Sequence, residues 1–278
     1  MNFEDKQIDQ LIKLALSEDV GSGDVTTEAL IPKKLNTEAF IVAKEEGVIA
    51  GLGIVEKVFQ SINKKIKVKN KVKDGDKVSN GDIIMTLKGP HGALLTGERT
   101  ALNFLQRMSG IATKTNLFVK EIKKYNTVLL DTRKTAAGHR LLDKYAVEVG
   151  GGKNHRFGLY DMVMIKDNHI KVAGSIKKAV KQVRKNLKQN LKIEVETTNL
   201  SEVEEALSCK VDVIMLDNMS LKEMKIAMDA INGKVKAEAS GNMDLDKLKW
   251  AASIGVDFIS VGELTHSVKA LDLSMRFK

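Results

Sequence analysis

Beyond residue 127 the chain repeats one pattern: a short apolar run, a polar turn, then an amphipathic stretch. The apolar runs end at Asp131-Thr132, Lys166-Asp167, Glu196-Thr197, Asp217-Asn218, Ser240-Gly241-Asn242 and Val261-Gly262. Counted at residues 196, 217, 240 and 262, the last four endings lie 21, 23 and 22 residues apart, room for one strand, one helix and two short loops. Right-handed crossovers of that size build a parallel sheet. Six of them suit a closed or nearly closed α/β barrel, with a doubly wound open sheet as the alternative.

The first part of the chain reads differently. Ile8, Leu11, Ile12, Ala15 and Leu16 have helical spacing, which predicts an opening amphipathic helix over residues 4–17, stopped by Gly21-Ser22-Gly23. Residues 36–88 hold short alternating runs punctuated by Gly47, Gly75, Gly81 and Gly89, a small sheet with a helix near 51–62. Residues 95–124 form a long helical pattern with Leu102, Leu105, Met108 and Ile111 on one side.

Composition narrows the function. Cys209 is the lone cysteine of 278 residues, which excludes a disulfide framework and any multi-cysteine zinc site. The acidic start, Met1-Asn2-Phe3-Glu4-Asp5, does not fit a signal peptide, and no apolar run reaches the roughly 18 residues of a membrane span, so a cytoplasmic protein is expected. The net charge is +9, and residues 120–190 alone carry +11. Lys177, Lys178, Lys181, Arg184, Lys185 and Lys188 follow helical spacing and read as a solvated helix face. A nucleic-acid partner is disfavoured, because only 4% of residues are aromatic and the other basic residues sit in folded loops. That remainder calls for an acidic small ligand.

The C-terminal rim of the strands is where parallel α/β folds place their sites. Thr132, Thr198 and Asp244 read as ordinary helix N-caps. Arg133, Lys134 and Lys166 do not, since cations at helix N-termini oppose the macrodipole. With Gly152-Lys153-Asn154-His155-Arg156 they form a cationic set drawn from three successive loops. Arginine's planar fork suits carboxylate and phosphate, whereas lysine offers a point charge, so the mixture suits a ligand carrying both groups. Opposite them, Glu196 and Asp217 suit sugar hydroxyls or a divalent cation. The loops Ser240-Gly241-Asn242 and Val261-Gly262-Glu263 can offer backbone N–H groups to a phosphate. Together these features predict a ribose phosphate beside an anionic co-substrate. Gly152-Lys153 is followed by Asn154, so there is no Walker loop. Nor is there a Gly-x-Gly-x-x-Gly opening a helix after a first strand, or a His-Glu-x-x-His spacing for zinc.

These segments resemble the quinolinate phosphoribosyltransferases, the decarboxylating nicotinate-nucleotide pyrophosphorylases. The similarity rests on Glu18-Asp19-Val20-Gly21-Ser22-Gly23-Asp24, Gly97-Glu98-Arg99-Thr100, Asp131-Thr132-Arg133-Lys134-Thr135, Gly152-Lys153-Asn154-His155-Arg156, Lys166-Asp167-Asn168-His169, Leu216-Asp217-Asn218 and Glu238-Ala239-Ser240-Gly241-Asn242. It implies an α/β chain with an N-terminal α/β sandwich domain over residues 1–112, to which 270–278 return, and a partly open α/β barrel over 113–269. It implies Mg²⁺ with phosphoribosyl pyrophosphate, and a homodimer, or a larger assembly of dimers, with shared active sites. By the same resemblance Arg99, Arg133, Arg156 and Lys166, with His155, would bind the two carboxylates of quinolinate, Thr132 would bind substrate, and Lys134 would serve the pyrophosphate side. Glu196 and Asp217 would hold the ribose hydroxyls and the metal, mainly through substrate. Ser240, Gly241, Asn242, Val261, Gly262 and Glu263 would take the 5′-phosphate, with Glu263 an unexpected negative charge there. Lys134, Lys166, Glu196 and Asp217 are the expected catalytic group. A same-fold phosphoribosyltransferase for another acidic heterocycle is the alternative.

Overall fold

The computed structural model describes residues 6–278. In chain order it contains α1 (Lys6–Val20), α2 (Val25–Leu30), β1 (Asn36–Ala43), β2 (Gly47–Val48), α3 (Leu52–Ile62), β3 (Lys67–Asn70), β4 (Lys77–Val78), β5 (Ile83–Pro90) and α4 (His91–Ile122). There follow β6 (Val128–Leu130), α5 (Arg140–Val149), β7 (Val163–Ile165), α6 (Asp167–Ala173), α7 (Ile176–Asn186), β8 (Ile193–Thr197), α8 (Leu200–Ser208) and β9 (Val213–Asp217). The chain ends with α9 (Leu221–Ile231), β10 (Lys236–Ser240), α10 (Leu245–Ser253), β11 (Phe258–Ser260), α11 (Glu263–His266) and β12 (Leu273–Phe277). Among the described residues no helix is long and apolar enough to cross a membrane.

Two compact units emerge. The first comprises the described part of Met1–Asn116 with Thr135–Gly151 and Leu264–Lys278; the second comprises Leu117–Lys134 and Gly152–Glu263. A single boundary at 112–113 with a return at 270–278 differs from this chiefly at Thr135–Gly151. That segment joins the first unit because α5 buries Leu142, Ala146 and Val147 and presents Asp143 to Arg107 of α4.

In the first unit an antiparallel sheet runs β12-β1-β5-β3. The C-terminal strand β12 pairs with β1 from Ala39↔Phe277 to Ala43↔Leu273. Helix α3 buries Leu52, Ile54, Val55, Val58 and Phe59, an apolar face at helical spacing. Helix α1 runs on to Val20, three residues past the expected end, while residues 4 and 5 lie outside the described part. Helix α4 begins four residues earlier than its pattern suggested, at His91. Asp74 organises the start of α3: its carboxylate accepts the Gly51 and Leu52 N–H groups and the Tyr145 hydroxyl, the last at 2.7 Å.

The second unit holds a six-stranded parallel sheet in the order β6-β11-β10-β9-β8-β7. Strands β7 to β11 are sequential neighbours, and the first strand, β6, pairs with the last, β11. That is barrel order with one seam left open, between β6 and β7. At the seam Leu130 makes a parallel bridge to Lys153: the Asp131 N–H donates to the Lys153 carbonyl and the Lys153 N–H to the Leu129 carbonyl. Registers Met164↔Glu194, Glu196↔Met215, Glu238↔Met215 and Ser240↔Asp217 put Glu194, Glu196, Met215, Asp217, Glu238 and Ser240 on one face. The other face carries the buried apolar residues Val195, Ile214, Leu216, Ala237, Ala239 and Ile259.

Arg133 and Lys134 are not at a helix N-terminus. Residues 131–139 are irregular and α5 starts only at Arg140, so macrodipole repulsion is no argument for these two. Lys166 does stand at the N-cap of α6. Arg184, expected on a solvated face, donates to the Cys209 and Lys210 carbonyls at 2.8 and 2.6 Å.

Candidate active site

The inner face of the barrel has two levels, two residues apart along each strand. Within β8, β9 and β10, Glu196, Asp217 and Ser240 each lie two residues nearer the C-terminal rim than Glu194, Met215 and Glu238 on the same face. At the rim the Lys166 ammonium pairs with Glu196 at 3.0 Å, and the His169 ring accepts the Lys166 N–H. Asp217 accepts from the Asn218 amide at 2.8 Å. Asn218 has φ +54°, and the neighbouring Gly241 has φ +97°, where a Cβ would overlap Asn218 Oδ1. Glycine at 241 is therefore required both by its backbone and by the close approach of Asn218.

Glu196 and Asp217 each commit one oxygen to these contacts and keep the other. Mg²⁺ takes oxygen ligands and is usually held by one or two carboxylates together with substrate phosphates and water, so this pair fits it. His155, Glu194 and Glu238 also bring ligand-type atoms within 4.8 Å of one another, but they form a buried set with a nitrogen donor, a poorer match to a hydrated oxygen-seeking ion.

The deeper level departs from the sequence expectation. The His155 ring turns inward: Nε2 lies 3.1 Å from Glu194 Oε2 and 3.4 Å from Glu238 Oε2. Its Nδ1 accepts the Arg156 backbone N–H at 2.7 Å. The His155 N–H in turn donates to the buried Asp131 carboxylate at 2.8 Å. Both ring nitrogens thus face protein groups. Burial opposes a charge on this imidazole, but the facing carboxylates of Glu194 and Glu238 outweigh it, so the set of three holds a proton more tightly than a free imidazole would. Burial raises Glu194 to about 6. Since Nδ1 must accept, the extra proton that the set attracts lies on the carboxylate side of Nε2.

Above this floor, Arg156 is half-buried, and burial first, then the charge of Arg133, lower its pKa. Its guanidinium donates to the Met162 carbonyl at 3.3 Å. Arg133 Nε is buried with no hydrogen-bond partner, as is the Ser260 hydroxyl at the end of β11. Thr132 accepts the Lys134 N–H at 3.1 Å, a local turn that leaves the Lys134 side chain exposed.

The expected phosphate loops are only partly available. The Val261 N–H is spent on the Leu130 carbonyl, and Asp244 already caps α10 by accepting the Lys247 N–H. Ser240, Gly241 and Asn242, the last at φ +44°, stand at the rim, and Gly262 precedes Glu263, which opens the short α11. Arg99 lies in the first unit, exposed on α4. The neighbouring turns of that helix hold the N-terminal segment, Thr96 donating to Asp24 at 3.2 Å and Thr100 to Asp19 at 3.3 Å. Sequence reasoning missed Glu194, Glu238 and Asp131. A signal for the first two was present, because each is a carboxylate inside a strand, two residues before a rim position and so on its face.

Comparison with known proteins decides the family. The model for the quinolinate phosphoribosyl transferase C-terminal domain matches residues 111–276, and that for its N-terminal domain matches residues 24–109. The chain belongs to the quinolinate phosphoribosyltransferase family. It is 45% identical over 285 residues to quinolinate phosphoribosyltransferase [decarboxylating] 1b of Nicotiana tabacum, covering 96% of this chain and 81% of that protein. The chloroplastic nicotinate-nucleotide pyrophosphorylase [carboxylating] of Arabidopsis thaliana is 46% identical, with the same coverage. Among solved structures, the nicotinate-nucleotide pyrophosphorylase of Francisella tularensis aligns with a TM-score of 0.94 at 44% identity, over 98% of this chain and 96% of that one. The family fold of an N-terminal sheet unit and a parallel-strand α/β unit is the one described above.

Proposed function

We propose that this chain transfers the phosphoribosyl group of phosphoribosyl pyrophosphate to quinolinate with loss of CO₂, yielding nicotinate mononucleotide and pyrophosphate for NAD biosynthesis. The observation that carries the substrate assignment is the pairing of Arg156 with Arg133, whose Nε is buried and lacks an acceptor. A second guanidinium close enough to lower the proton affinity of Arg156 calls for an anion with more than one charge, and quinolinate carries two carboxylates. Lys166, Arg133 and Arg156 hold that dicarboxylate, while Arg99 of a second copy and Thr132 complete its pocket. Lys134 faces the leaving pyrophosphate. Glu196 and Asp217 hold the ribose hydroxyls, and Ser240, Gly241, Asn242 and Gly262 receive the 5′-phosphate.

No side-chain nucleophile is needed. The pyridine nitrogen attacks C1′ as pyrophosphate departs, through a transition state with oxocarbenium character, so positioning and charge stabilisation carry the rate. Glu196 and Asp217 place negative charge on the ribose side of that transition state. Once the nitrogen is quaternised, it stabilises the carbanion left at C2 as the adjacent carboxylate departs as CO₂, the arginines orient that carboxylate, and the carbanion takes a proton from water to give the C2–H of the product. Glu196 and Asp217 would also hold Mg²⁺, which when bound neutralises the pyrophosphate.

Exposed Leu159, Tyr160 and Val172 on the barrel unit, and Val25 and Leu30 on the first, support a homodimer, since such surface is normally covered. The single, buried Cys209 supports a cytoplasmic setting. The deciding experiment supplies quinolinate labelled in the C2 carboxylate, with and without phosphoribosyl pyrophosphate and a divalent cation. Labelled CO₂ and nicotinate mononucleotide should appear only in the complete mixture. A product that keeps both carboxylates, or equal use of nicotinate, would overturn the assignment.

A further inference from the structure

The buried acids beneath the site take no part in the reaction described above, yet they are costly. Glu194 and Glu238 are 0% and 1% exposed, and neither Glu194 oxygen nor Glu238 Oε1 has a hydrogen-bond partner. Carboxylates left in that state inside a barrel are a stability penalty unless something depends on them. What depends on them is the direction in which the His155 ring presents its one obligatory proton.

A neutral imidazole has one N–H donor and one acceptor, and whichever nitrogen faces a carboxylate keeps the proton. Here Nε2 faces two carboxylates, at 3.1 and 3.4 Å. Nδ1 is then left as an acceptor, and the group 2.7 Å from it is the backbone N–H of Arg156. A proton on Nδ1 would set two donors against each other at that distance. The preceding peptide is fixed as well, because the His155 N–H donates to Asp131. The backbone that aims Arg156 is thus tied down at two consecutive N–H groups, one by a buried acid and one by a ring that stands on two more.

We propose that Glu194 and Glu238 are positioning residues: with their carboxylates facing Nε2 they hold His155 in the tautomer whose Nδ1 fixes the Arg156 backbone, and so aim the Arg156 guanidinium at a substrate carboxylate. The second half of this rests on the reading that Arg156 binds quinolinate; the first half does not. His155 then acts through Arg156 and not by contact with substrate.

Two measurements test it. In the intact protein with ¹⁵N-labelled histidine, assigned against His155→Asn, the His155 ring should show an unprotonated Nδ1 and a protonated Nε2 at neutral pH. A protonated Nδ1 overturns the proposal whatever the reaction proves to be. In steady-state kinetics Glu238→Ala should raise the KM for quinolinate about 10-fold or more, with the KM for phosphoribosyl pyrophosphate changed by no more than about 2-fold, the size of effect seen when a group supporting a binding residue is lost. Glu238→Gln keeps an amide oxygen to accept from Nε2–H and should recover most of the loss. Equal effects on both KM values, or a Glu238→Gln variant as impaired as Glu238→Ala, would show a merely structural role. Should Glu238→Ala fail to fold, the tautomer of the unsubstituted protein still decides the matter. A normal tautomer in a protein that does not use quinolinate would instead count against the functional reading.

Discussion

Buried charge is handled in opposite ways by the two units. In the first, Asp143 is fully buried and both its oxygens are satisfied: Arg107 donates to them at 2.9 and 2.8 Å, and the Ala136 N–H adds a third bond at 3.1 Å. Arg107 spends a further bond on the Thr265 carbonyl. In the second unit Glu194, Glu238 and Arg133 bury charged atoms that have no partner. A saturated buried pair is scaffold, since each group exists for the other. An unsaturated one carries a cost that folding alone does not repay, and such places in native chains mark function.

The sharpest way to break this contrast is to remove one charge from each unit. Asp143→Ala strands the Arg107 guanidinium and frees the Ala136 N–H. Loss of one partner from a buried pair costs about 3–5 kcal/mol, and the 28% exposure of Arg107 places the expected loss at about 3 kcal/mol. Denaturant unfolding should register it, with activity falling only as the folded fraction falls. Arg133→Ala deletes a donor that has no protein acceptor, so stability should hold within about 0.5 kcal/mol. Turnover should fall roughly 30- to 1000-fold, the equivalent of about 2–4 kcal/mol of transition-state binding. If Arg133→Ala unfolded the protein as Asp143→Ala is expected to, the contrast between the units would collapse.

Within the second unit a smaller effect separates rim from floor. Glu196→Ala and Asp217→Ala each remove a carboxylate that still has an oxygen to give. Affinity for phosphoribosyl pyrophosphate should drop about 10-fold, near 1.4 kcal/mol, with quinolinate affinity nearly unchanged. Calorimetry on each substrate separately would show it. A loss confined to quinolinate would mean that the two substrates have been placed the wrong way round.

How much of this was legible depended on depth. The rim residues Lys166, Glu196, Asp217 and Ser240 stood out because strand ends are marked by a change from apolar to polar, and the regular spacing of those ends identified the parallel barrel. Arg133 stood out as well, although the helix-dipole reason for noticing it failed, since no helix begins until Arg140. Glu194 and Glu238 were given no role because each strand was read as an apolar run with its chemistry at the end. The alternation of strand faces was the missing step. The direction of the His155 ring was beyond any one-dimensional reading, because it depends on acids 39 and 83 residues further along the chain. Thr135–Gly151 was assigned to the barrel for the same reason: its attachment runs through Arg107 and Asp143, distant in sequence.

The smallest expected effect concerns another satisfied acid of the first unit. Tyr145 donates to Asp74 at 2.7 Å, and Asp74 also receives two backbone N–H groups at the start of α3. Burial first, then the bond to Asp74 and its charge, push the Tyr145 hydroxyl well above its usual range. A folded-state pKa above the unfolded value of 10.0 means that the stabilisation is fully present below that pH and is lost as pH rises through and beyond it. Tyr145→Phe removes the donor but leaves Asp74 with its backbone partners, so the cost should be about 1 kcal/mol at neutral pH. The gap between the two proteins in thermal melts should narrow above about pH 10, where the unfolded tyrosine ionises. A gap that stayed constant from pH 8 to 11 would show that the ring's packing, not the hydroxyl, is what α5 contributes. Asp74 would then not count as a saturated acid held by three donors.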